Sequence, residues 1–225
     1  MRANRAASDP QVAGPSVPVM RKRSSILAGL AAAAVLAAPA AASAGSAAPG
    51  APAAAAAPSA SGTKTFSFRG MNLKIPSGWK VHREGDIVTV VTGKCRFPEP
   101  FVPGCRSFWV FGPKAITRVP VGGGYITYTG KNQFHPFSGV VPCPFTDKTA
   151  WHADGKRATT GLRQVGRGHK AKYAAWPNTC VTHGSGRKTA SFTQREWFLP
   201  TSKILVVDVW NTPGLANVLK NATWS

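Results

Sequence analysis

Residues 65–75 read Thr-Phe-Ser-Phe-Arg-Gly-Met-Asn-Leu-Lys-Ile, two runs in which every second side chain is apolar, parted by an Arg-Gly pair. Alternation of period two marks a strand with one buried face, and a short interruption ending in Gly suits a hairpin turn. Phe66 and Phe68 are therefore expected on one face of a hairpin with Met71, Leu73 and Ile75, before Pro76-Ser77-Gly78 turns the chain.

Reading outward, Trp79 and Val81 lead into the turn cluster Glu84-Gly85-Asp86, and the β-branched run Ile87 to Val91 returns antiparallel. Further strands are expected at Phe108 to Phe111, Ala115 to Val119 and Tyr125 to Thr129, the last two parted by Gly122-Gly123-Gly124. A phosphate-cradling loop needs a helix after its glycines, whereas Tyr-Ile-Thr-Tyr follows here, so the triplet reads as a hairpin turn. Residues 134–168 read as irregular. Strand signals resume at His169 to Trp176, Thr179 to His183, Thr189 to Leu199 and Ile204 to Trp210. One helix closes the chain: Thr212 is a candidate cap, Pro213 suits the first helical position, and Leu215, Val218, Leu219 and Ala222 share a face. The expected fold class is α+β, a mostly antiparallel β meander with a C-terminal helix packed on the sheet. The Pro-Ser-Gly-Trp turn after an amphipathic hairpin, together with the strand-then-helix ending, resembles Mog1/PsbP-like domains.

The first third of the chain has a different character. Met20-Arg21-Lys22-Arg23 precedes the apolar run Ile26 to Ala38, 13 residues long, which is too short to span a bilayer and suits the core of a signal peptide. Ala42-Ser43-Ala44 supplies small residues for cleavage after Ala44, so residues 20–44 are expected to be a signal peptide and 1–19 an extension ahead of the true start. No Cys follows the apolar run to take a lipid anchor, and Lys22 splits the arginines that a twin-arginine signal needs adjacent. Leu199-Pro200-Thr201-Ser202 lacks the Gly of a sortase signal. Residues 45–62 are all Ala, Pro, Ser, Gly in type, unable to bury enough surface to offset ordering entropy, and read as a disordered linker. Such a leader resembles those of proteins secreted by high-GC Gram-positive bacteria. Residues 63–225 then form a single folded domain, secreted and monomeric, with no transmembrane segment in the mature chain.

The full chain has 28 Lys and Arg against 8 Asp and Glu. Residues 1–44 hold five of the cations and one acid, so the mature part keeps a formal charge of +16. Such a balance speaks to partners, not to fold. From Lys156 to Arg195, Lys156, Arg157, Arg163, Arg167, Lys170, Lys172, Arg187 and Lys188 accumulate without an interspersed carboxylate. For an exported protein this pattern points to anionic cell-surface polymers; nucleic acid is not the expected physiological partner. A solubilising surface is the competing reading, since Tyr173, Trp176 and Trp197 in the same stretch sit at strand positions where aromatics fill a core.

Four cysteines, all in the exported part, read as disulfides. Three pairings exist. Cys95 with Cys105 and Cys143 with Cys180 is the expected one, the first closing a Pro-rich loop. There is no Cys-x-x-Cys, and His152-x-Asp154 lacks a third ligand at a matching spacing, so no metal and no cofactor are expected. Glu84, Asp86, Asp147 and Asp154 fall in turn-like segments, and no nucleophile elbow occurs, so a non-catalytic protein is expected. The sequon Asn221-Ala222-Thr223 lies in the expected helix and is read as chance. An alternative comes from Cys143-Pro144-Phe145-Thr146-Asp147, followed by Tyr173 to Cys180, which resembles the secreted subtilisin-inhibitor-like family. That resemblance implies a rigid reactive loop built by Cys143 and Pro144, with Phe145 offered to a protease pocket.

Overall fold

In the computed structural model the described residues are 62–121, 123–135, 139–153 and 158–225; the expected signal peptide and nearly all of the expected linker lie outside them. At the Arg69-Gly70 turn both residues take positive φ (52° and 84°), as a two-residue hairpin loop needs to match the twist of its strands. The turn joins β1 (Thr63–Phe68) to β2 (Met71–Pro76), with Phe66 opposite Leu73 and Phe68 opposite Met71. Gly70 serves a second purpose, because a Cβ there would meet the Ser225 carbonyl oxygen at 2.9 Å.

The chain continues through β3 (Lys80–Glu84), β4 (Ile87–Val91) and, after the first disulfide loop, β5 (Ser107–Phe111). Then come α1 (Pro113–Thr117), the small hairpin β6 (Val119–Val121) and β7 (Gly124–Ile126), and β8 (Pro142–Cys143). The strands β9 (Thr146–Ala153), β10 (Thr159–Gln164), β11 (Lys170–Thr182), β12 (Lys188–Leu199) and β13 (Ile204–Asp208) precede α2 (Leu215–Lys220) and β14 (Thr223–Trp224). A large curled sheet runs in the order β3-β4-β5-β13-β12-β11-β9-β8, with β10 also paired to β11. β14 joins β1 and β2 in a second, three-stranded sheet. All pairings are antiparallel, and the expected disulfides Cys95–Cys105 and Cys143–Cys180 are both formed. The fold is thus the mostly antiparallel β structure with a C-terminal helix read from the sequence. The strand order departs from a single meander where β5 pairs with β13 from the far end of the chain, where β11 pairs with β9 as well as with β10, and where β14 returns to β2.

Period-two alternation divides the large sheet's side chains between two cores. On the helix side, Val88, Val90, Phe108, Val110, Val206 and Trp197 are sealed by the β1-β2 hairpin and by Leu215 and Leu219 of α2. On the loop side, Trp109, Phe111, Leu205, Val207, Phe192 and Phe198 are covered by α1 and by the segments carrying Phe101, Tyr128 and Phe134. The Cys143–Cys180 bridge is wholly buried in this second core.

Four local expectations are corrected. Ala115 to Thr117, read as the start of a strand running to Val119, belong to α1, because Asp86 accepts the Lys114 and Ala115 amides (2.6 and 3.4 Å) and so supplies, from 28 residues before Lys114, the cap that Gly112 lacks. The segment read as irregular contains β8, β9 and β10. β10 has no buried side chain, so it exists through its ladder to β11 and shows no hydrophobic period. The two strands expected at 169–183 are one: Pro177 falls between the β10 ladder, which ends at Ala175, and the β9 ladder, which begins at Asn178, so its missing N–H lies where β11 changes partners on that edge. The closing helix starts later than expected. Thr212 donates its hydroxyl to Asp208 Oδ1 (2.9 Å) and does not cap, while Gly214 at φ 76° leads into Leu215.

Candidate functional site

Among the described residues, the basic side chains singled out in the sequence are dispersed over β10, its turn into β11, and the long β11-β12 hairpin. Arg163 and Tyr173 project to the helix side, with the guanidinium 4.9 Å above the Tyr173 ring. Lys170 and Lys172 project to the opposite face, and Arg167 sits in the exposed turn between β10 and β11. Arg187 and Lys188 lie at the other end of the hairpin, about 40 Å away along β11 at ordinary strand rise. The structure therefore brings Lys170 and Lys172 together but places Arg163 on the other face and Arg187 and Lys188 at the far tip. Lys156, Arg157 and Asp154 lie outside the described residues. Of the aromatics Tyr173, Trp176 and Trp197, Trp197 is buried and the other two are half-buried, so they form no exposed stacking platform.

What shapes the surface charge is where the acids go. Glu196 and Asp208 are fully buried. Asp208 pairs with Arg195 and accepts the Trp210 and Thr212 amides, fixing the turn that leads to α2. Asp86 is occupied by the α1 amides and by Arg69 (3.5 Å). Among the described residues this leaves Glu84, Glu99 and Asp147 as the exposed carboxylates, set among many exposed Lys and Arg.

The alternation of β12 places Phe192, Gln194, Glu196 and Phe198 on the loop-side face, and so carries a carboxyl group into an aromatic core. Sequence reasoning missed this site; the signal was Gln-x-Glu in step with two core phenylalanines. Glu196 accepts hydrogen bonds from the Tyr128 hydroxyl (2.5 Å), the Phe134 amide (2.7 Å) and Gln194 Nε2 (2.6 Å), and Gln194 Nε2 also donates to the Phe134 carbonyl (2.8 Å). Burial raises the Glu196 carboxyl above its ordinary range, and the donors around it only partly offset this. Burial, and then the adjacent Glu196, likewise push the Tyr128 phenol upward. The Trp176 indole faces the same carboxyl without reaching hydrogen-bond geometry. Next to this cluster, Asn178 Oδ1 accepts from Trp151 Nε1 (2.7 Å) and Gln133 Nε2 (3.1 Å). Glu196 has no exposed atom from which to exchange a proton with a substrate. Its observed role is to hold residues 128–134 against the sheet.

The Cys143-Pro144-Phe145 segment is the tight turn from β8 to β9. Cys143 and Pro144 are buried, and the Pro144 carbonyl accepts the Gly104 amide (2.8 Å), which ties the second disulfide region to the first. Phe145 is 41% exposed, and its ring leans edge-on against Phe192 and Trp210, at 6.1 and 5.4 Å between centroids.

Among the described residues no group of three or more His, Cys, Asp or Glu is placed to hold a metal ion, and no helix is long and apolar enough to cross a membrane. No family model, no curated protein and no solved structure matches this chain.

Proposed function

We propose that the protein is an exported, non-catalytic binder of anionic cell-surface polymers, acting through a distributed positive surface. The observation that carries this reading is the sequestration of acids. With Glu196, Asp208 and Asp86 engaged in folding contacts, the exposed cations keep their field, and a flexible polyanion gains from each charge it neutralises without needing a shaped pocket. Two disulfides suit an oxidising compartment, and a signal peptide at residues 20–44 would deliver the chain there.

Retention of the protein on isolated cell walls tests the reading. Binding should fall steeply and log-linearly with salt, and neutralising Arg163, Arg167, Lys170 and Lys172 together should reduce both the affinity and the salt slope. Salt-insensitive retention, or none, would refute it. Stoichiometric inhibition of subtilisin by the wild-type protein would replace it with the inhibitor reading centred on Phe145.

A further inference from the structure

Between the outer strand β3 and the disulfide-closed loop after β4 lies an open cleft of about 310 Å³. Lys80 and His82 reach it from alternate positions of β3, so they share one face of the strand, and Arg96 enters from the loop opposite. Gly78 and Gly93 also line the cleft, and a Cβ at Gly93 would meet the Arg106 side chain at 3.0 Å. No carboxylate lines it: Glu84 lies two residues beyond His82 on β3, and Glu99 lies beyond Pro98. Neither Lys80 nor Arg96 is ion-paired, since the ion pairs among the described residues are Arg69–Asp86 and Arg195–Asp208.

The loop that presents Arg96 is held from several directions. Cys95 is bridged to Cys105, the Arg106 amide donates to the Lys94 carbonyl (2.9 Å), and the Thr92 amide donates to the Arg106 carbonyl (2.8 Å). The Arg96 guanidinium also lies 5.1 Å above the Phe97 ring. A wall fixed in this way loses little freedom when a ligand arrives. A guanidinium, an ammonium and an imidazole that line one cleft with no carboxylate among its walls suit a tetrahedral oxyanion: the guanidinium can offer two parallel donors and the ammonium a point charge.

We propose that this cleft binds a phosphate group, either free or as one unit of a phosphodiester chain that passes through its open ends. The inference rests on the anionic-polymer reading and deepens it by naming the group that is bound and where. It also separates two kinds of cation on this surface, those that act only through their field and the three that line one cleft.

The test is amide NMR of the full chain, titrated at constant ionic strength with inorganic phosphate and, separately, with glycerol-phosphate oligomers. Saturable shifts are expected at residues 80–82 and 92–96. Lys80→Gln and Arg96→Gln should each weaken binding about tenfold or more, as loss of a charge-assisted hydrogen bond does. Arg163→Gln should leave cleft binding unchanged. The Lys80 and Arg96 side chains are exposed, so otherwise superimposable spectra will certify that the variants fold. Saturation by inorganic phosphate identifies a free-phosphate site, and saturation by the oligomers alone identifies a polymer site; either supports the proposal. Non-saturating shifts spread over all cations, or saturable shifts confined to residues 163–172, would overturn it. Wall retention without cleft binding counts against this inference alone, and cleft binding without wall retention counts against the polymer reading alone.

Discussion

The two faces of the large sheet are sealed by different chemistry. The helix-side core is apolar but for Asp208, a buried carboxylate paired with Arg195 that accepts amides of the turn into α2, and it is closed by the β1-β2 hairpin and two leucines of α2. The loop-side core is closed by irregular chain, and there the sheet needs a disulfide and a buried carboxyl network to hold the cover in place. The difference teaches why polar residues enter a core. Regular elements satisfy their own backbone groups and can close a face with apolar side chains alone, whereas a loop brings unpaired amides that must find acceptors inside. The Phe134 amide and carbonyl find Glu196 and Gln194.

The sharpest way to break the helix-side core is Phe108→Ala, which removes a fully buried ring under the hairpin and should lower stability by about 3–5 kcal/mol in equilibrium denaturation. On the loop side, replacing Cys143 and Cys180 together by Ala opens a loop with a sequence separation of 37 and should cost about 4 kcal/mol. The Cys95–Cys105 pair, with a separation of 10, should cost about 3 kcal/mol by the same argument, and its loss should also loosen the phosphate cleft. If the Cys95–Cys105 bridge proved the costlier one, the loop-side core would not be the part that most needs its disulfide.

A finer test is Tyr128→Phe. It keeps the ring packing but takes a donor from buried Glu196, and should cost about 1–3 kcal/mol. The smallest effect concerns pH. Because burial raises the Glu196 carboxyl above the 4.5 of an ordinary glutamate, the folded protein binds more protons than the unfolded chain just above that pH. This group's contribution to stability is fully present below about pH 4.5 and is lost as pH rises through the folded-state value. Denaturation midpoints of the wild type measured against Glu196→Gln should therefore diverge with pH, the wild type losing relative stability as pH rises. Parallel curves would show that the donors around the carboxyl fully offset its burial.

These contrasts follow how far each region could be read from residues alone. The β1-β2 hairpin was legible because its apolar side chains alternate in step with a buried face, and β4 and β5 because continuous β-branched and aromatic runs suit strands buried on both faces. The disulfide pairing was legible because a Pro-rich loop between Cys95 and Cys105 makes a local bridge natural. By contrast, β9 and β10 carry mostly exposed side chains and become strands only because β11 offers them an open edge. The first helix depends on a cap from Asp86, far away in sequence.

The sequence by itself determined the class of fold, the sites of its two bridges and the strong positive charge, because each is carried by local pattern or by composition. Only the tertiary structure decided that the basic stretch is spread over both faces of a hairpin, that Glu196 lies inside a core, and that Lys80, His82 and Arg96 share a cleft. The physical reason is the same in all three cases. Which side chains meet depends on strand register and on loop closure between distant segments, and neither leaves a mark within a short window of sequence.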